Sequence, residues 1–560
     1  MPDLHLRKPL IYKVVLSSLL AVIGVSCHAA LIPLYAPAAP PQNDLSCSST
    51  REVRSLFLQG DVLWVATAGG VLQRDSTGTW QKWTTRDGLP TNEVRGFRVD
   101  AKGDLIVQTP RGAARFNGEK WIIVSTSSTK NAHTAITAQA KWREVSLEAT
   151  LAGLRFKKIK PETVEKDASA KTEPIGNNTQ NELQDEAQVQ VLALPDGVGT
   201  HISALLPRES DVVVALFGDG LWLTDGKEWQ KAPPAWQVPV EATEITALAG
   251  KKTPQWLGTR RDGLWHYENG AWKQQLQDNE PFDHNAQAMQ EYKGALFVST
   301  LEDGLSVRSG EGWQTVGDEF LSSNAPRQMV QFQEKLWVRH GGGTVDQCDG
   351  FSWRPHVFPA LPRKKVLAIA ADKNQLYLGQ WGGWSEWDGK AFTHHLNLPP
   401  LQGLPPMALM ANGDKLWFAT QSRGVAEIER KTGKVRWHDE RHGLPDDWIT
   451  CLLKVKTEIF AGTFVGGLVR WDGTKWHQVA ETRGENITSL GEDGSGGVFI
   501  ATRHGVWQRT AEGKMTLLNK GAAWLEPEAQ ALYPTPNGLW IGTRTGLFFL
   551  KRQEPKAMKL

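Results

Sequence analysis

Val53-Arg-Ser-Leu-Phe-Leu58, a turn at Gly60-Asp61, Leu63-Trp-Val-Ala-Thr67, a turn at Ala68-Gly69-Gly70, Val71-Leu-Gln-Arg74, a turn at Ser76-Thr-Gly78, Trp80-Gln-Lys-Trp83, then Asp87-Gly-Leu-Pro-Thr-Asn92: this stretch decides the fold. Each apolar segment has the length and β-branched or aromatic content of a strand, and each is bounded by Gly, Asp, Asn or Ser turn chemistry. The unit reads as a four-stranded antiparallel meander.

The unit returns about every 40 residues. Its Thr-x(2–3)-Gly-apolar hallmark recurs from Thr67 to Gly70, Thr109 to Gly112, Thr150 to Gly153, Thr259 to Gly263, Thr300 to Gly304, Thr420 to Gly424, Thr463 to Gly467, Thr502 to Gly505 and Thr543 to Gly546. Three further copies lack the Thr, at Leu216 to Gly220, His340 to Gly343 and Gln380 to Gly383, which makes twelve. Four strands at this period are the signature of a propeller blade, whereas helical repeats of similar length show a 3.6 period and few Gly turns. The fold class is therefore all-β, a β-propeller of about twelve four-stranded blades. Single propellers hold about four to eight blades, so twelve imply two rings. Six plus six is the symmetric division and seven plus five its rival. An even division falls near Pro326, giving an N-terminal propeller over 30–326 and a C-terminal one over 327–560.

Composition agrees. The chain has 25 Trp and 54 Gly against 6 Tyr and 7 Met, the balance of one unit copied many times. A net charge of +2 among 560 residues gives no sequence-wide pull toward nucleic acid or an anionic membrane. Cys27, Cys47, Cys348 and Cys451 lie far apart without metal-ligand spacing, which argues against a structural metal or haem site and against a disulfide scaffold. No cofactor is expected.

The ends deviate from the repeat. Arg7, Lys8 and Lys13, the apolar run from Val14 to Ser26, and small residues around Ala29 fit a signal peptide over 1–29, with cleavage near Ala29 and a periplasmic or secreted product. Lipidation at Cys27 and retention of 14–36 as an anchor are the alternatives; after cleavage no membrane span is expected. Residues 157–190 are rich in Lys, Glu, Asp, Asn and Gln and read as a mobile insertion in the third blade. The twelfth copy ends after Leu547-Phe-Phe-Leu-Lys551, one strand short. Residues 31–36, which include Leu31-Ile-Pro-Leu-Tyr35, are expected to supply that strand, with 41–49 as a polar connection.

Leu63-Trp-Val-Ala-Thr with Gly70, Leu416-Trp-Phe-Ala-Thr with Gly424, Leu539-Trp-Ile-Gly-Thr with Gly546, the Asp87-Gly-Leu-Pro-Thr-Asn92 turn and its relative His442-Gly-Leu-Pro-Asp-Asp447 resemble the two-component regulator propeller repeat. The resemblance spans nearly everything after the signal segment. It implies stacked propellers that recognise a ligand, often an oligosaccharide, in the periplasmic sensor half of hybrid histidine kinases. No kinase, immunoglobulin-like connector or second span follows Leu550 in this sequence, so the expectation is recognition without signal transduction by the chain itself.

Trp64, Trp417 and Trp540 recur at one strand position, and Trp80, Trp121, Trp229, Trp272, Trp313, Trp353 and Trp476 just after a turn. Recurrence in register is what packing demands. Residues that vary at a repeated loop are more informative, because the fold does not require them. In a meander the loop after the second strand shares a face with the connection between blades. There the chain places Arg111, Arg260, Arg261, His340, Trp381, Arg423, Phe464, Arg503, His504 and Arg544. Arginines with a few aromatics suit a carboxylate, another anion or a polar sugar. Of these, Arg423, Arg503 and Arg544 are expected to converge.

Paired carboxylates, nucleophile elbows and metal spacings do not occur. His394 and His395 are adjacent, so on a strand they face opposite ways. The expectation is a binding protein without catalytic residues. Its partner would be a small anionic or oligosaccharide ligand, or an envelope protein for which it serves as a scaffold. A propeller lyase or hydrolase is the remaining alternative.

Overall fold

The computed structural model describes residues 35–38, 41 and 43–552, except 101, 126–137, 143–144, 151–152, 159–188, 196, 199–200, 276–279, 282, 302, 311 and 521–524. The signal segment, Cys27 and nearly all of the 157–190 insertion lie outside the described residues.

Among the described residues the chain forms twelve four-stranded antiparallel sheets, eleven of them meanders of consecutive strands, linked by turns and short 3-10 segments. We number these blades 1 to 12 in chain order, at 53–83, 96–125, 138–192, 202–231, 245–275, 286–316, 326–354, 368–395, 406–438, 449–478, 487–517 and 529–551. No helix among them is long and apolar enough to cross a membrane.

The hallmark Thr has a mechanical reason. In all nine Thr-bearing copies its hydroxyl donates to the carbonyl of the hallmark Gly, at 2.7–3.0 Å, and so ties the loop shut. Gly424 has φ +64°, and a Cβ there would sit 2.0 Å from the His438 carbonyl oxygen. The Asp-Gly-Leu-Pro-x-Asn turn is equally local. Asp87 Oδ2 accepts from Thr84 N at 2.8 Å, Gly88 takes φ +96°, and Asn92 Oδ1 accepts from Thr85 N at 2.8 Å. Asp447 repeats the Asn92 role, accepting from Glu440 N at 2.9 Å.

Inner strands of blades 6 to 12 contact one another in succession, and blade 12 returns to blade 6, so these seven blades close a propeller. Inner strands of blades 3, 4, 5, 1 and 2 also follow in contact, which makes a five-bladed unit. The division is seven plus five, and it falls between 275 and 286 rather than at 326/327. The cause is packing: Ala286, Met289, Leu296 and Val298 of blade 6 form one core cluster with Ala531, Trp540, Leu547 and Phe549 of blade 12. Blade 6 thus belongs to the C-terminal ring. Recurrent tryptophans fill such seams, with Trp64, Trp417 and Trp540 all but inaccessible.

The chain ends do meet, but through a different segment from the one expected. Leu45–Cys47 forms the fourth strand of blade 12, pairing Leu45 with Phe549, Ser46 with Phe548 and Cys47 with Leu547. Of the expected 31–36 strand, residues 31–34 lie outside the described residues. Tyr35 is not in a strand: it is buried between blades 6 and 7, edge-on to Phe297 at 5.0 Å, and its hydroxyl accepts from Trp353 Nε1 at 2.9 Å. Among the described residues the chain therefore lies first on the seven-bladed propeller, crosses to the five-bladed unit at about 48–53, and is back on the seven blades from Ala286.

Candidate functional site

Blade geometry puts the variable loops on one face. Gly304 N donates to Asn324 O, Gly424 N to Asp447 O and Gly467 N to Glu485 O, at 2.8, 2.8 and 3.2 Å, so each second-strand loop is bonded to the connection into the next blade. In nine blades the second residue of the inner strand is bulged out of register, at Arg54, Ser203, Thr246, Gln287, Arg327, Met407, Thr450, Thr488 and Gln530. A bulge re-aims its side chain. Several bulged residues stitch neighbouring blades. Thr450 Oγ1 donates to Ile487 O at 2.5 Å, and Thr488 Oγ1 to Ala529 O at 2.7 Å.

Residues from the loop faces of the two units meet. Asn92 N donates to Glu526 Oε1 at 2.9 Å, and Arg111 lies 3.4 Å from both Glu526 and Glu528. Beside this contact the two crossing segments are pinned together: Thr50 N and Oγ1 donate to Glu280 Oε2 at 2.9 and 2.7 Å, and Lys82 Nζ lies 2.6 Å from Glu280 Oε1. Arg260 and Arg261 fall at this junction, lining a cavity of about 160 Å³ with Arg51, Glu52, Asp283, His284 and Asp303. There the charges largely compensate. Arg261 is 3.9 Å from Asp303, and His284 is 3.2 Å from Asp283 and 3.8 Å from Glu52.

Arg503 of blade 11 and Arg544 of blade 12 share a second cavity, of about 360 Å³, with Asn486, Thr488, Glu528, Ala529 and Gln530. Both arginines are exposed, and among the described residues neither has an ion-pair partner. Two guanidinium groups from adjacent blades thus face a polar recess. The bulged Thr488 and Gln530, which the reading of the second-strand loops does not reach, lie beside them. Their signal in the sequence is a polar residue recurring at the second inner-strand position.

The other expected residues scatter. Arg423 does not join that cavity: its guanidinium stacks on Trp437 of its own blade at 4.3 Å. His340 is buried at 0% exposure, its Nε2 2.8 Å from Asp346 Oδ2, which removes it from any ligand surface. Phe464 stacks on Trp448 at 4.1 Å, and His504 Nδ1 lies 2.9 Å from Glu485 Oε2. Trp381 remains 45% exposed. With Met407 and Val465 it gives blades 8, 9 and 10 exposed apolar residues in the loops and inner-strand start of the same face. His394 bonds Ser385 Oγ at 2.8 Å while His395 stacks on Trp384, so the two point apart. Among the described residues no group of His, Cys, Asp and Glu has the arrangement of a metal site, and Cys47, Cys348 and Cys451 are free thiols.

No family model and no curated protein matches the chain. Among solved structures it is similar to PorZ, described as an essential bacterial surface component of the type-IX secretion system of Porphyromonas gingivalis. The identity is 13%, the match covers 92% of this chain and 88% of that one, and the TM-score is 0.62. That likeness shows a shared fold. It is also similar to the extracellular domain of a hybrid two-component system from B. thetaiotaomicron, at 15% identity over 91% of this chain and 70% of that one, TM-score 0.41. A third, virginiamycin B lyase from Staphylococcus aureus, matches 50% of this chain and 99% of its own at 10% identity and TM-score 0.42.

Proposed function

We propose that the chain is an exported, non-enzymatic binding protein that takes an anionic or acidic-sugar ligand on the loop face of its seven-bladed propeller. The observation that carries this is the Arg503 and Arg544 pair, without an ion-pair partner among the described residues and set over one recess with Thr488, Asn486 and Gln530, where the Glu528 carboxylate lies toward Arg111. Two guanidinium groups supply directed donors for a carboxylate, and the hydroxyl and amide groups beside them suit a sugar. Charge-assisted hydrogen bonds of this kind contribute about 1.5–3 kcal/mol each. Because both residues sit on loops and outside the core, their removal leaves the blades intact.

The Arg503→Ala/Arg544→Ala double variant is expected to weaken binding of a uronic-acid oligosaccharide at least tenfold by calorimetry, with unchanged thermal stability. A neutral oligosaccharide of equal length should bind more weakly than the acidic one to the parent chain. Equal binding by parent and variant would overturn the assignment.

A second reading is an envelope scaffold, and a separate observation favours it. Trp381, Met407 and Val465 expose apolar surface on three successive blades of that face, and the similar PorZ is described as a surface component of a secretion system. Exposed tryptophan with a polar rim is the pattern of a protein contact. On this reading Trp381→Ala removes a partner captured by cross-linking on intact cells, and the double arginine variant retains it.

A further inference from the structure

One seam between blades lacks the filling that the others have. In blades 1 and 9 the second-strand Trp64 and Trp417 face two aromatic residues of the next blade, one on its third strand and one opposite it on the fourth: Phe116 with Trp121, and Trp471 with Trp476. Three further seams lay an arginine over the ring, Arg74 on Trp256, Arg308 on Trp540 and Arg509 on Phe460. The seam of blades 6 and 7 has only Cys348 at the third-strand position, and there a ring from outside the blades fills the space: Tyr35 packs edge-on to Phe297 and bonds to Trp353.

Between blades 11 and 12 the corresponding positions hold Phe499, Leu550 and Asp44. Phe499 pairs with Gln508 as Trp64 pairs with Gln73, and Leu550 pairs with Leu539 as Trp471 pairs with Ile459. Because Leu45 pairs with Phe549, the register sets Asp44 opposite Leu550, where blade 10 has Trp476. Phe499 and Leu550 stay half-buried, whereas Trp64 and Trp417 are inaccessible, and among the described residues no ring or cation covers Phe499. The seam therefore holds a cavity of about 890 Å³, walled on one side by Phe499, Leu517, Leu539 and Leu550 and on the other by Asp44, Arg86, Asp493, Lys551 and Arg552. Small-molecule sites usually measure about 300–1,000 Å³. The two acids are engaged within the fold: Asp44 Oδ1 accepts from Lys551 N at 2.8 Å, and Asp493 Oδ1 from Ser495 N and Gly497 N at 2.8 Å each. Arg552 Nη2 donates to the Asp493 carbonyl at 2.6 Å, and among the described residues neither Arg552 nor Lys551 has an ion-pair partner.

We propose that the seam of blades 11 and 12 is a binding pocket for an aromatic anion, a flat fused-ring molecule bearing a carboxylate or sulfonate. Its ring packs on Phe499 and Leu550, as the outer-strand Trp does in other seams and Tyr35 does between blades 6 and 7, and its charge meets Lys551 and Arg552. The pocket is separate from the Arg503 and Arg544 recess and does not depend on it: Asp493 and Gly538 lie at the start of the second strands Val498–Thr502 and Gly538–Thr543, whose other ends carry Arg503 and Arg544.

The test is calorimetric titration with naphthalenesulfonate, neutral naphthol and naphthylmethylammonium. The parent chain is expected to bind the sulfonate saturably, at one site, and at least tenfold more tightly than the ammonium compound. Asp44→Trp, which gives blade 12 the ring that Trp476 gives blade 10, should weaken sulfonate binding at least tenfold and melt higher than the parent. Phe499→Leu keeps the packing volume nearly constant, so it tests the ring contact even if the larger substitution fails to fold; it should also weaken binding at least tenfold. Arg552→Ala should weaken the sulfonate and leave naphthol unchanged, and Arg503→Ala/Arg544→Ala should bind as the parent does, which separates this pocket from the loop-face recess. A parent that binds none of the three compounds, one that binds all three equally, or sulfonate binding retained in Phe499→Leu, would overturn the proposal.

Discussion

A chain lacking residues 1–47 is expected to unfold at markedly lower denaturant than the parent and to self-associate. The deletion removes two fastenings. Leu45–Cys47 is the outer strand of blade 12, and without it Leu547–Lys551 becomes an open edge whose unpaired N–H and C=O groups invite pairing with other chains. Residues 35–38 run as a strap under blade 6: Ala36 N donates to Ser309 Oγ at 2.7 Å and Ala38 N to Gly294 O at 2.8 Å. Tyr35 anchors the strap, 5% exposed against Phe297 and Trp353. Tyr35→Ala alone should destabilise by about 3–5 kcal/mol, the range for removing a large buried aromatic, with the Trp353 indole N–H left unpaired as well. Urea titration followed by tryptophan fluorescence reads both variants, and sedimentation reads the association. A truncated chain that stays monomeric and unfolds at the parent midpoint would show that neither fastening matters.

The other large effect lies at Asp346, fully buried in the third strand of blade 7. Its carboxylate accepts from Ser322 N at 2.7 Å and His356 N at 3.0 Å, and it faces His340 at 2.8 Å. Asp346→Ala leaves the buried Ser322 and His356 N–H groups without their acceptor and should cost about 1–3 kcal/mol for each unsatisfied group. Replacing the pair by residues used at the same register in other blades, His340→Thr with Asp346→Ala, should recover part of that loss, because Thr at 340 can close the loop as its nine counterparts do. Acid should mimic the single variant. Burial opposes ionisation of Asp346, yet the hydrogen bonds from His340 and Ser322 outweigh it and hold its pKa below the ordinary carboxylate value. Its contribution is therefore full above about pH 4 and is lost as the pH falls through the lowered folded value. The difference in stability between parent and Asp346→Ala should shrink over that acid range. A constant difference down to the acid transition would exclude the carboxylate as its source.

The repeat was legible because each blade carries its own turn chemistry: the Thr to Gly tie and the Asp87 to Asn92 turn are satisfied within a few residues. Ring membership was not. Whether blade 6 adjoins blade 12 depends on Met289 packing against Trp540, a contact that leaves no local pattern, and the connection over 276–285 resembles the others. Leu45-Ser-Cys47 escaped notice because three residues without an aromatic carry too little alternation to read as a strand. At the candidate site, single residues at a shared loop position were legible, but their orientation was not. Arg423 had Trp437 to stack on while Arg503 and Arg544 had no such platform. His340 carried a usable clue: it replaces the hallmark Thr, and an acid, Asp346, stands where blades 9 and 10 have Ala426 and Val469. Two polar replacements in register point to a buried pair.

The order in which the ribosome releases the chain gives the double crossing a kinetic meaning. Blades 1 to 5 lie wholly within 53–275 and can assemble while the rest is still being made, since every strand they need has emerged. The seven-bladed propeller cannot. Its first strand leaves the ribosome with residues 45–47 and must wait for 547–551, so its final seam joins segments about 500 positions apart. At about 5–20 residues per second that interval lasts some tens of seconds or longer. Contacts of such separation form late and slowly, and from its own emergence until blade 12 is complete, blade 6 presents an uncapped apolar seam. The nascent chain is accordingly most exposed to misassembly with neighbouring copies in the final stage of its synthesis, and a circular permutant opened within the 276–285 connection, which makes the five-bladed unit terminal, should shift that exposure.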